Sequence, residues 1–164
     1  LILIPTGLPN PDFDKSICAS AADRKAMLQI AFSDMADVAV SEVELQRAGK
    51  PSYFIETLAA LLPFIGPERP VLLVGEDQLL SFPKWYRYRD ILKQTDLWFV
   101  PRAEIRRSPR PDLPARLLFD VNPFDNLSST LIRDRIRAGF SIRELVPPDV
   151  AAYIMHHGLY QGTP

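Results

Sequence analysis

Val71-Leu72-Leu73-Val74-Gly75-Glu76-Asp77 sets four consecutive apolar residues directly against a glycine and two carboxylates. An unbroken apolar run of this length reads as a strand buried on both faces, and the polar residues after it read as a turn at its carboxyl end. Working outward, Leu1–Ile4 is a run of the same kind upstream, and Leu97–Val100 repeats it downstream before Pro101-Arg102. Leu117–Phe119 is a shorter strand, and Val38–Leu45 alternates as a half-exposed one. Helical stretches lie between them. One starts at Ser20 with Asp23 three residues on and an apolar stripe of Met27, Leu28, Ile30 and Ala31. Others cover Ser52 to about Leu62, Gln78–Leu80, and Tyr88–Gln94. Another runs from Ser128 to Ala138, with Gly139 just past its end. Ser141-Ile142-Arg143-Glu144 reads as a second capping box, and Pro148 opens a last helix closed by Gly158. The alternation predicts an α/β fold: a largely parallel sheet flanked by helices, with a small helical C-terminal end, in a single domain over residues 1–164.

The 164 residues are 47% hydrophobic and 24% charged, with a net charge of −1, as in an ordinary globular domain. That charge gives no basic field for a nucleic-acid backbone, so no nucleic-acid partner is expected. No apolar run approaches a membrane span, so no membrane partner is expected either. One cysteine, Cys18, excludes an internal disulfide framework, and the two histidines, His156 and His157, are adjacent, a poor geometry for one metal. No metal site is expected. The chain opens without methionine inside an apolar strand. The reading therefore expects an upstream strand, loop and helix, roughly 20–30 residues.

In parallel α/β sheets ligands sit beyond the carboxyl ends of the strands. That rule selects Pro5–Pro9, Gly75–Asp77, Pro101-Arg102 and the segment Leu127-Ser128-Ser129-Thr130-Leu131-Ile132-Arg133. The hydroxyls of the last are helix caps on one reading. On the other, hydroxyls, free N–H groups and Arg133 near the positive end of a helix dipole form an anion site. Gly75 permits close approach or an unusual φ. Asp77 is either a cap for a helix at Gln78 or a ribose acceptor. Trp85 and Tyr86 either stack on a planar ring or form a satellite core under their loop. Ser52 and Tyr53 read as a cap with core packing. Residues 103–116, rich in proline and arginine, read as a surface loop.

Residues 127–133 resemble the ISSTxIR motif of the nucleotidyltransferase superfamily. Lys50-Pro51-Ser52-Tyr53, Val74-Gly75-Glu76-Asp77 and Phe82-Pro83-Lys84-Trp85-Tyr86-Arg87-Tyr88 resemble, in order, the P-S-Y-T, I-G-x-D and aromatic W-x-x-W/Y segments of bacterial nicotinate-nucleotide adenylyltransferases. Arg137-Ala138-Gly139, Leu145-Val146-Pro147 and His157-Gly158-Leu159-Tyr160 resemble that family's C-terminal end. ISSTxIR alone is shared with phosphopantetheine adenylyltransferases, whereas the ordered set spans nearly the whole chain.

The resemblance implies a Rossmann-like nucleotidyltransferase fold and a cytoplasmic enzyme of NAD biosynthesis. It would transfer AMP from ATP, with Mg²⁺, to nicotinate mononucleotide, giving deamido-NAD and pyrophosphate. A homo-oligomer is compatible with it. On the same grounds Ser128, Ser129, Thr130, Arg133 and Arg102 would hold the ATP phosphates. Asp77 would bind the ribose of the mononucleotide, with Trp85, Tyr86, Tyr53, Gly75 and Thr6 around it. The chain departs from the family pattern three times. It lacks G-x-F-x-P-x-H-x-G-H, so the catalytic histidines would lie upstream and no residue of this chain is assigned as catalytic. The P-x-x-x-P-P-H loop appears as Pro5-Thr6-Gly7-Leu8-Pro9-Asn10-Pro11, without its histidine. Phe54 replaces a threonine. Nicotinamide mononucleotide or phosphopantetheine as acceptor, and a non-catalytic nucleotide-binding remnant, stay open as alternatives.

Overall fold

The structure is a computed structural model that describes residues 1–11, 13, 17–47, 49–101, 111–119 and 127–162. The chain divides into two compact units, Leu1–Ser52 with Leu127–Pro164, and Tyr53–Asn126.

In the first unit β1 (Ile2–Leu3) pairs in parallel with β2 (Ala39–Val40), Ile2 opposite Ala39. A parallel pair needs a crossover, and α1 (Ala21–Ala31) supplies it. Ser20 caps α1 by accepting the Asp23 N–H at 3.0 Å, and its own hydroxyl donates to the Asp23 carboxylate at 2.6 Å. The Asp23 carboxylate therefore bonds the cap's side chain, where a full capping box would bond its backbone N–H. The long strand expected over Val38–Leu45 is only two residues: the Ser41 N–H makes the last ladder bond, to Leu3 O at 2.8 Å, and residues 43–46 turn.

Helices α5 (Ser129–Arg137) and α6 (Pro148–His156) complete this unit. Ile136, Ile142, Val150, Ala151 and Ile154 form its core, with Met27, Ile30 and Ala31 packed against them. Both helices end in a Schellman motif. Gly139 N–H donates to Ile136 and Phe140 N–H to Arg135; Gly158 N–H donates to Met155 and Leu159 N–H to Ile154. Both glycines have positive φ, 75° and 58°, as the motif requires. The capping box expected at Ser141–Glu144 opens no helix. Ser141 Oγ accepts the Arg143 N–H at 3.3 Å, its carbonyl accepts from Arg135 Nε at 3.0 Å, and the helix waits for Pro148.

The second unit carries a three-stranded parallel sheet, β3 (Val71–Gly75), β4 (Asp96–Val100) and β5 (Ala115–Leu117). Leu72 lies opposite Leu97 and Val74 opposite Phe99. These side chains face a core of Ile55, Leu79, Phe82 and Ile91, contributed by α2 (Phe54–Leu61), α3 (Glu76–Ser81), the 3₁₀ turn Phe82–Lys84 and α4 (Tyr88–Gln94).

Burial on both faces is not what the apolar runs have among the described residues. Val71 and Leu73 are 50% and 43% exposed, and Leu1 and Ile2 are 65% and 37% exposed. The packed helices cover the Leu72–Val74 face of the sheet, and alternation sends Val71 and Leu73 to the other. β5 begins two residues before the strand expected at Leu117, inside the stretch read as a loop.

Candidate functional site

The site candidates fall into two sets, one in each unit. In the first, Ser128 is the N-cap of α5, φ −138° and ψ 153°, and its Oγ accepts the Leu131 N–H at 3.1 Å. That bond serves one of the orphan donors at the helix start. Helix geometry leaves the Ser129 and Thr130 N–H groups facing outward, and both residues are exposed. The first turn of α5 holds no acidic residue. Arg133 is the fifth helical residue, one turn further in than the sequence suggested. Side chains on a helix lean toward its N-terminus, and Arg133 Nη2 donates to Thr130 Oγ1 at 3.0 Å. Its charge therefore sits with the hydroxyls and the positive helix end. The cap reading describes Ser128, and Ser129, Thr130 and Arg133 remain turned outward, the arrangement the anion-site reading requires.

Thr6 is exposed in the loop after β1. Its carbonyl accepts from Arg24 Nη1, and Arg24 Nε donates to Ala19 O at 3.3 Å. The next residue, Gly7, is required by contact: a Cβ there would stand 2.3 Å from Glu44 O and 2.7 Å from Ser52 Oγ. Gly7 N–H donates to Glu44 Oε2 at 3.2 Å, and Ser52 N–H to Leu8 O at 2.8 Å. Ser52 thus fixes this loop and does not cap a helix; α2 starts two residues later, after Tyr53, with no side-chain cap.

In the second unit Gly75 ends β3 with φ −73°, so the unusual-φ reading fails. It is also the N-cap of α3, which places Asp77 inside the first helical turn and removes its cap role. The Asp77 carboxylate accepts from Gln78 Nε2 at 3.0 Å. Trp85 packs on Phe82 with centroids 5.0 Å apart and meets Phe54 edge-on at 5.9 Å. Tyr86 stays 53% exposed and pairs with Tyr53 at 4.8 Å. The satellite-core reading therefore describes Trp85 better than Tyr86. Arg102 lies outside the described residues.

Sequence reading missed two groups in the first unit. Tyr153 OH donates to Asp23 Oδ1 at 2.9 Å and its ring stacks on His157 at 4.1 Å. The Ser20 hydroxyl, then Tyr153, holds the Asp23 carboxyl below the usual range, and bonding to Asp23 raises the Tyr153 phenol. The second is Arg24, which bridges the Thr6 and Ala19 carbonyls and whose only sequence signal was an arginine one turn into α1. Among the described residues no three His, Cys, Asp or Glu side chains are grouped to hold a metal. No described helix is long and apolar enough to cross a membrane.

Residues 2–135 match the cytidylyltransferase-like family. The chain belongs to that family. Within it, the chain is 37% identical over 166 residues to a probable nicotinate-nucleotide adenylyltransferase of Synechococcus sp., covering 98% of this chain and 79% of the relative. It is 36% identical over 169 residues to one of Dehalococcoides mccartyi, covering 98% and 81%. A solved Plasmodium falciparum nicotinic acid mononucleotide adenylyltransferase, complexed with NaAD, superposes with a TM-score of 0.74 at 13% identity over 97% of this chain and 81% of that one. That likeness carries the nucleotidyltransferase fold. The expected α/β class, with parallel strands flanked by helices, is the one observed.

Proposed function

We propose that this cytidylyltransferase-like chain transfers AMP from ATP to nicotinate mononucleotide. The observation that carries the reading is the start of α5, where two outward N–H groups, the Ser129 and Thr130 hydroxyls and Arg133 converge with no acidic residue in the turn. The relatives' names supply the acceptor. A phosphate oxygen of the mononucleotide attacks the α-phosphorus, the bond from that phosphorus to the bridging oxygen breaks, and pyrophosphate leaves. Such a transfer depends on positioning and on neutralising developing charge. Ser129, Thr130 and Arg133, joined by Arg102, hold the phosphates, and Ser128 fixes the turn that aims them. Asp77 takes the ribose, Trp85, Tyr86, Tyr53 and Gly75 shape the acceptor pocket, and Thr6 is the first unit's acceptor contact. The donors at α5 are anion ligands; Mg²⁺ bound with ATP would supply neutralisation of the phosphate charge. The family match spans residues of both units, which supports a single catalytic domain over 1–164.

The test is pyrophosphate release by the full-length protein from Mg-ATP with nicotinate mononucleotide, nicotinamide mononucleotide and phosphopantetheine in parallel. Preference for the first is expected. Preference for another acceptor overturns the substrate, and no release with any of them overturns the reaction.

A further inference from the structure

Trp85-Tyr86-Arg87-Tyr88 is a tight turn, closed by the Tyr88 N–H, which donates to Trp85 O at 3.1 Å. Its third residue, Arg87, has a left-handed backbone, φ 56° and ψ 36°. Positive φ at that position calls for glycine or asparagine. A long branched side chain there is strained, and it persists only where its surroundings fix it.

The surroundings are one carboxylate. Arg87 Nε donates to Asp90 Oδ2 at 2.8 Å, and the Asp90 N–H donates back to Arg87 O at 2.9 Å. Lys93 Nζ donates to the other carboxylate oxygen at 2.9 Å, so Asp90 is itself held in place. Lys93 first, and then Arg87, keep the Asp90 carboxyl below its usual range. Arg87 is thus tied by side chain and by carbonyl to a single residue in the first turn of α4.

The turn sorts its aromatic rings. Trp85 and Tyr88, at its two ends, both pack on the fully buried Phe82, with centroids 5.0 and 6.2 Å away. Tyr86, at the corner between them, stays half in solvent and leans on Tyr53 at 4.8 Å. The closing bond needs the left-handed residue; if the turn opens, Tyr86 loses its fixed place. Exposed ion pairs add little to global stability, and glycine would close the same turn without strain. What glycine lacks is the tie to Asp90. A strained arginine therefore makes sense as the means of holding the corner ring still.

We propose that Arg87 and Asp90 are positioning residues for the acceptor: their pair locks the left-handed turn, so that the Tyr86 ring stands preorganised against Tyr53 for the planar ring of the mononucleotide. This rests on the acceptor part of the function proposed above.

The experiment is calorimetric titration of the full-length protein with nicotinate mononucleotide and, separately, with Mg-ATP, for the wild type, Arg87→Gly, Asp90→Asn and the double variant, with a thermal melt of each. Arg87→Gly keeps the left-handed φ accessible and removes the tie. Its affinity for nicotinate mononucleotide is expected to fall about 2- to 12-fold, which is what ordering one side chain at the moment of binding amounts to. Its affinity for ATP and its Tm are expected to stay level. Asp90→Asn is expected to lose affinity in the same range, and the double variant no more than the larger single loss, because both act through one pair. Unchanged mononucleotide affinity in Arg87→Gly, an equal loss of ATP affinity, a loss tracking a fall in Tm, or losses that add in full in the double variant would each overturn the proposal. A wild type that binds Mg-ATP but not nicotinate mononucleotide overturns the acceptor reading and this proposal with it. A wild type that binds both, beside variants that bind both equally well, overturns the positioning role alone.

Discussion

Replacing Arg133 by alanine separates function from stability in opposite directions. The guanidinium spends one donor on Thr130 Oγ1 at 3.0 Å, and on the proposed function its other donors bind the ATP phosphates. A hydrogen bond to a charged group is worth about 1.5–3 kcal/mol, so its loss lowers kcat/KM for ATP by about 10- to 150-fold. The folded protein loses almost nothing. The first turn of α5 has no acidic residue to balance the cation, so the charge opposes the helix dipole by about 0.3–1 kcal/mol. Alanine removes that opposition and is a better helix former. Tm should stay level or rise by up to about 3 °C for a chain this size. Steady-state pyrophosphate release against ATP concentration, with a thermal melt of the same preparation, reads both effects. A kcat/KM within twofold of wild type refutes the anion site. A lost activity accompanied by a Tm several degrees lower refutes the claim that Arg133 is kept for ligand.

Gly7→Ala forces a Cβ to within 2.3 Å of the Glu44 carbonyl. The loop after β1 must shift, at a cost of about 1–3 kcal/mol, visible as a lower urea midpoint; an unchanged midpoint contradicts the close approach. Gly139→Ala places a side chain at φ 75°, costs about 1 kcal/mol, and lowers Tm without changing KM for either substrate. Asp23 is held below its ordinary carboxyl value, first by Ser20 and then by Tyr153. Its contribution is thus present above about pH 4 and lost as pH falls through the folded value. Tyr153 is raised by its bond to Asp23, so its contribution is full below about pH 10 and lost as pH rises through its folded value. Tyr153→Phe should flatten both limbs of a stability–pH curve measured by urea unfolding; parallel curves for the two proteins would show that the bond does not form in solution.

The alternation of strands and helices was legible because each element carries its own period and its own stop signal. Tyr88–Gln94 stands where the periodicity placed it, and Gly139 and Gly158 end α5 and α6 as C′ residues must. What failed depended on information no local window holds. An apolar run says that a strand is apolar, not how many of its faces are covered, and Val71 and Leu73 lie on the open one. A capping box marks a helix only where the chain after it can continue as one. Behind Ser141 come Leu145-Val146-Pro147-Pro148, and the helix starts at the second proline. Ser52 looked like a cap because it precedes α2, yet its backbone is taken by Leu8, 44 residues away in the chain.

The same division separates the two sets of candidate residues. The phosphate end rests on the first turns of one helix, where spacing alone fixes which groups point outward, so Ser128–Arg133 could be read directly. The acceptor end rests on aromatic side chains whose availability is decided by packing. Phe82 is fully buried and takes one side of Trp85, and Phe54 meets it edge-on. Tyr86, its neighbour in sequence, is left half in solvent against Tyr53. Adjacent aromatics thus divide into a ring packed on the core and a ring half in solvent. The spacing of Ser128–Arg133 can therefore be read from a local window, whereas which of Trp85 and Tyr86 is left available is decided by tertiary packing.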